Sequence, residues 1–142
     1  MATKGQKTGM RGVYLAAAEL AREGWIVSTT SRSAAGADIL ITTDDCSRTY
    51  SIQVKTIASG GPLFLLGKHV KNTKSPTHIY VLVHIKKKAE VENFDYYVVP
   101  SRSISTVAVP ANKKWAPNGF VVHKDKIAKY RSNWSQLGNP SA

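Results

Sequence analysis

Three polar side chains interrupt the most strand-like part of this chain. In GADILITTDDCSRTYSIQVKT, residues 36–56, Asp38 precedes the apolar run Ile39–Ile41, and Gln53 and Lys55 flank Val54. Carboxylate and amide oxygens are hard donors for a divalent cation, and an ammonium can stabilise negative charge growing on a phosphate. That chemistry needs all three groups on one surface. Alternation along a strand puts Gln53 and Lys55 on the same face. If 37–43 turns through residues 44–47 and pairs back with 48–56, Thr43 meets Arg48 and Asp38 lands opposite Gln53. Directly opposed residues of an antiparallel pair share a face, so this register predicts one patch. A one-residue slip would dissolve it. A plainer account makes Asp38 a turn cap after Gly36, Gln53 an edge-strand residue and Lys55 a solvated strand end. It requires three coincidences.

The elements that must position the patch surround it. Residues 1–9 are basic and Gly/Thr-rich, and are predicted to be a flexible arm. MRGVYLAAAELAREG predicts a helix over 10–23, with Val13, Ala16, Ala17, Leu20 and Ala21 at helical spacing and Gly24 as its cap. Three consecutive alanines suit a close approach to a sheet. Residues 25–31 predict a first strand, followed by a Ser/Ala/Gly turn, and 37–43 and 48–56 the second and third. A Gly-rich connection, 58–76, carries a short strand at 63–66 and a helical turn. Residues 77–85 have the continuous apolar character of a buried strand. KKKAEVEN is a solvated turn, 94–100 a further strand, and 101–109 a short helix capped by Ser101 or Ser103. After a loop at 110–119 come a short strand or turn and a helix to about Leu137, leaving 138–142 as a flexible tail. The order predicts one α/β domain of α+β mixed-sheet type over 10–137, not an alternating doubly wound fold.

Composition narrows the function. The 142 residues are 42% hydrophobic, enough for one self-sufficient core. A single cysteine, Cys46, excludes an internal disulfide framework and Cys/Cys metal clusters. No apolar run reaches the ~18–20 residues of a membrane span, and MATKGQKTGMRG lacks a secretory apolar stretch, so cytoplasm is expected. Twenty Lys+Arg against nine Asp+Glu give a net charge of +11. Such a field attracts polyanions, above all nucleic acid. The candidate phosphate contacts are Lys68, Lys71, Arg102 and Lys124, with Arg102 at a helix start where backbone N–H groups also favour an anion. His69, His78, His84 and His123 lack metal-ligand spacing, and His78 and His84 are expected to be structural.

The order helix, strand, strand with Asp38, strand with Gln53-x-Lys55 resembles the PD-(D/E)xK nuclease superfamily. "GADILI" followed by "IQVKT" fits its D…(E/Q)-x-K signature. The chain is similar to the small resolvase-like and Mrr-like bacterial branch in its Gly-led first helix, "AAEL", "GW", "QVKT", "VPS" at 99–101 and a terminal Trp134…Leu137. The resemblance implies a restriction-endonuclease-like core and an endonuclease that hydrolyses DNA phosphodiesters with Mg²⁺ or Mn²⁺, with branched DNA as a substrate and a homodimer supplying two sites. It makes Asp38 the main metal ligand, Gln53 a neutral second ligand, the Val54 backbone carbonyl a third, and Lys55 the group that serves the attacking water. Two departures stand out. Gln53 replaces the usual glutamate, and Val13 stands where relatives carry a helical glutamate. The remaining acid on that helix is Glu19, about 120° away around the helix. With one carboxylate in place of three, the alternative is a degenerate site in a basic DNA-binding or interaction module.

Overall fold

The computed structural model describes residues 1–31, 36–58 and 60–141. Helix α1 runs from Lys4 to Arg22, so residues 4–9 are helical and not a free arm. The cause is a capping box. Thr3 Oγ1 accepts from the Gln6 N–H at 3.1 Å, while Gln6 Oε1 accepts from the Thr3 N–H at 2.9 Å. That nucleus offsets Gly5 and Gly9 in the first turns. Gly24, at φ 104°, ends the helix in the left-handed region that glycine tolerates.

Strands β1 (Ile26–Thr29), β2 (Ile39–Thr42) and β3 (Thr49–Ile57) form an antiparallel meander. Ile39 pairs with Ile52 and Thr42 with Thr49, the register expected from the sequence. The turn enforces it. Thr43 N donates to Arg48 O at 3.0 Å, and buried Thr43 Oγ1 donates to Asp45 Oδ1 at 2.7 Å. Ser47 Oγ and N also donate to Asp45 Oδ1, at 2.7 and 3.0 Å, and the Ser47 hydroxyl, with Thr43 Oγ1 and Ser47 N, holds the carboxyl down at about 2. The Ser/Ala/Gly turn expected before β2 falls, at 32–35, outside the described residues.

Strand β4 (Leu63–Leu66) leads through a 3-10 turn, Lys68–Lys71, to β5 (His78–Lys88), which lies parallel to β3 and antiparallel to β6 (Val91–Pro100). The main sheet therefore has the order β1-β2-β3-β5-β6. β5 and β6 run on to a two-residue turn, Ala89–Glu90, both at positive φ. The solvated turn expected over 86–93 is thus mostly strand, and its tight turn was hidden in the sequence because Ala-Glu lacks the Asn-Gly signature of that turn type. Helix α2 (Ser101–Val107) has no side-chain cap, since Ser101 Oγ donates instead to Ser75 O at 2.8 Å. Strands β7 (Val109–Pro110) and β8 (Phe120–His123) join β4 in a small second sheet ordered β4-β8-β7. The expected C-terminal helix is two 3-10 segments, Lys124–Tyr130 and Trp134–Leu137. Buried Ile127 and half-buried Lys124 and Tyr130 recur every three residues, which suits three residues per turn. The tail is tied down as well. Arg48 donates to the carbonyls of Leu137 and Asn139.

Two cores flank the main sheet. Ala16 and Leu20 of α1 pack with Ile39, Ile52, Val54, Val81 and Val83 on one face. Phe64, Leu66, Tyr80, Leu82, Val122 and Ile127 pack on the other, beneath the small sheet. No helix among the described residues is long and apolar enough to cross a membrane. Gly12 sets the distance between α1 and β3. A Cβ there would overlap Thr56 Oγ1 and meet Thr56 Cβ and Cγ2 at 2.8 Å. Alanine gains ~1 kcal/mol of helix propensity over glycine, but overpacking costs ~1–3 kcal/mol. Overpacking wins. Gly12→Ala is expected to lower stability by ~1–2 kcal/mol in urea melts, with partial recovery when combined with Thr56→Ala. A Gly12→Ala protein as stable as wild type would refute this contact.

Candidate active site

The β2–β3 ladder closes at Ile39–Ile52, three residues after the chain enters from the undescribed segment. Beyond it, the edge of β3 has no strand neighbour on this side among the described residues. The Asp38 carboxylate fills that gap. Its Oδ2 accepts from the Val54 N–H at 2.8 Å and from Gln53 Nε2 at 2.8 Å, while Asp38 N donates to Ile52 O at 2.8 Å. The amide of Gln53 must turn its N–H toward the carboxylate, which leaves Oε1 as its free end. A strand residue projects its N–H and C=O from the same edge, so the Val54 carbonyl also faces this opening.

Asp38, Gln53, Val54 and Lys55 line one cleft of about 550 Å³. Gln6, Met10, Val13 and Tyr14 of α1 form one wall, and Thr29, Thr30 and Ser31 another. Neither a hydrogen bond nor an ion pair joins Lys55 to another described residue. The three polar groups predicted to share a patch do share one. Val13 presents an apolar side chain to the same cleft. Glu19 does not line it. Its carboxylate takes Arg22 Nη2 at 2.8 Å and Nε at 3.0 Å, six residues or ~9 Å further along α1. A salt bridge within the last turns of the helix holds it away from the cleft lining.

The basic candidates divide. Lys68 and Arg102 are exposed with no side-chain partner among the described residues. Lys71 Nζ donates to Ser105 O at 2.6 Å and Ala108 O at 2.7 Å, clasping the C-terminal carbonyls of α2, and it lies over the Phe120 ring. Half-buried Lys124 has its Nζ 3.2 Å from His84 Nδ1. Both ammonium groups hold the fold together, whereas Lys68 and Arg102 have no such engagement. None of the four lines the cleft.

Sequence reasoning missed Gln6 and Lys7 as cleft residues because it began the helix at Met10, and it gave Met10 and Tyr14 no role on that helix. The T-x-x-Q box at Thr3 and Gln6 was the available signal. It also missed a partner for His78. Ser51, on the same face as Gln53 and Lys55, lies 2.7 Å from His78 Nδ1. Burial holds the His78 pKa below its ordinary 6.5. The unfolded chain therefore takes up this proton first on acidification. Stability is full above about pH 6.5 and is lost as pH falls through the lowered folded value. Thermal melts between pH 7 and 5 are expected to show that decline, with His78→Gln flattening it. An unchanged slope in His78→Gln would remove His78 as its source.

No protein-family model and no curated protein matches the chain. Among solved structures, it is similar to Archaeoglobus fulgidus Hjc, a Holliday junction resolvase from an archaeal hyperthermophile. The likeness has a TM-score of 0.50 at 10% identity and covers 82% of this chain and 91% of that one. At that identity the likeness is one of fold: the chain has a mixed α/β, restriction-endonuclease-like core with an N-terminal helix and a five-stranded mixed sheet.

Proposed function

We propose that the chain belongs to the PD-(D/E)xK superfamily, in its resolvase-like and Mrr-like branch, and is a metal-dependent endonuclease that hydrolyses DNA phosphodiester bonds. The observation that carries this is the convergence of Asp38, Gln53 and Lys55 in one cleft where the β2 ladder ends. The donors present fit Mg²⁺ or Mn²⁺. Asp38 Oδ1 has no partner among the described residues, and Gln53 Oε1 and the Val54 carbonyl are further hard oxygens. One carboxylate, supplemented by water and phosphate oxygens, is a ligand supply that Mg²⁺ commonly accepts. When bound, the ion would withdraw charge from phosphoryl oxygens and acidify a water.

The chain's own groups do the rest. Asp38 supplies the charge that holds the cation, and its two N–H donors fix the direction of that charge. Lys55, without an ion partner, brings positive charge to the place where a pentacovalent phosphorus gains negative charge, and can orient the attacking water. Exposed Lys68 and Arg102 add phosphate contacts that are salt-sensitive and tolerant of sequence. In this account the enzyme works in the cytoplasm on branched or otherwise structured DNA, with a homodimer bringing two clefts to two strands. Lys55→Ala is expected to lower Mn²⁺-dependent cleavage of branched DNA by ~10²–10³-fold, with DNA binding in EDTA changed little. Cleavage equal to wild type would sink the assignment of the site.

A second reading keeps the cleft as a DNA-binding surface without turnover. Val13 on the cleft wall favours it, as does the absence, among the described residues, of any group of three His, Cys, Asp or Glu suited to a metal. It predicts salt-dependent DNA binding by the wild type and no cleavage with either ion.

A further inference from the structure

We infer that Met10 and Tyr14 form a ridge on α1 that stacks on an unpaired nucleobase beside the scissile phosphate, so that DNA with unpaired nucleotides is preferred over continuous duplex. This rests on the proposed nuclease function and names the feature of its substrate that the site selects.

Met10 is 54% exposed and Tyr14 61%, on a helix whose other face is packed against the sheet. They are one helical turn apart and share a face. Both line the cleft of Asp38 and Lys55 on one side and, on the other, a second groove of about 590 Å³ along α1. They are the crest between the two. Tyr14 makes no hydrogen bond or ring contact with a described residue. The first turn of α1 contains no acid, and Lys4 and Lys7 have no ion partner among the described residues. Lys7 lines both concavities, whereas Arg11 is already held by Glu92 at 2.7 Å.

An apolar, aromatic crest beside free ammonium groups matches a strand whose bases and phosphates alternate. A continuous duplex keeps its bases stacked inside and offers this ridge only phosphates. An unpaired nucleotide offers a π-face within reach of the catalytic groups. A second copy of the chain fits less well. It would bring another +11 charge, and its own Lys4 and Lys7, against a surface with no acid in its first turn.

The test is equilibrium binding in EDTA, where cleavage is silent. The DNAs are a duplex with a short single-stranded gap carrying 2-aminopurine and the matching continuous duplex. Wild type is expected to bind the gapped DNA more tightly and to change the 2-aminopurine fluorescence. Tyr14→Ala is expected to lose about tenfold in affinity for the gapped DNA and less than about twofold for the duplex, with Tyr14→Phe close to wild type. Tyr14→Leu, which keeps apolar bulk, should behave like Tyr14→Ala and carries the test if the alanine variant melts early. Wild-type affinity in Tyr14→Ala and Tyr14→Leu, or equal losses on both DNAs, would overturn the proposal while leaving the nuclease site standing. So would a change in self-association by sedimentation with DNA binding unaltered. A wild type that binds neither DNA would overturn the proposed function as well.

Discussion

Asp38→Asn is expected to lower Mn²⁺-dependent DNA cleavage by about 10³-fold while leaving the fold near wild-type stability. The separation follows from what each oxygen of Asp38 does. Oδ2 accepts from the Val54 N–H and Gln53 Nε2, both at 2.8 Å, and an amide oxygen can accept the same two bonds. The negative charge cannot be replaced. It is the only carboxylate among the described residues lining the cleft. Losing the several kcal/mol of charge stabilisation that a bound cation supplies corresponds to about three decades in rate. Asp38→Ala should show both losses, since it leaves two half-buried donors without their acceptor, at ~1–2 kcal/mol of stability. Single-turnover cleavage and urea melts of the two variants separate charge from scaffold. If Asp38→Asn cleaves at the wild-type rate, Asp38 is a structural clasp only.

Gln53→Glu should have the opposite sign on metal binding. It replaces Nε2, 2.8 Å from Asp38 Oδ2, with a second carboxylate oxygen. Two carboxylates that close cannot both ionise comfortably without a cation, so the pair would hold a proton at neutral pH or repel. Stability without metal should fall by ~1–2 kcal/mol, the worth of about one pKa unit of such coupling. Mn²⁺ relieves the repulsion, so its affinity should rise about 10- to 100-fold, and added Mn²⁺ should raise Tm more than in wild type. Adding Val13→Glu should strengthen the effect, because Val13 lines the same cleft. A Gln53→Glu protein whose Tm is indifferent to Mn²⁺ would contradict metal binding at this position. The natural Gln53 forms a preorganised clasp on Asp38.

The strand pairing that brings Asp38 to Gln53 was legible in the sequence, as was the fold class, while much of the surrounding scaffold was not. A short turn between two alternating segments fixes register, and the Thr43–Arg48 bond realises the pairing that brings Asp38 opposite Gln53. Short strands at 63–66 and after 119 were expected, but their pairing into the β4-β8-β7 sheet was not readable, because it joins segments distant in sequence through strands of four residues or fewer, and two-residue β7 is exposed. Local propensity also misjudged both ends of α1's neighbourhood. Lysines and glycines obscured a helix that a capping box starts at Lys4, and Glu19 was weighed by its angle on the helix before its bond to Arg22 could be known. The lysines show the same limit. Lys71 and Lys124 read as surface charge, yet backbone carbonyls and an imidazole engage them from segments distant in sequence.

The central claim is that Asp38 gives this cleft its cation. Calorimetric titration of Mn²⁺ into metal-free protein tests it without reference to any substrate. The account predicts saturable binding of one Mn²⁺ per cleft in the wild type and none in Asp38→Asn. Binding that persists unchanged in Asp38→Asn, or no binding in the wild type with or without DNA, would contradict it.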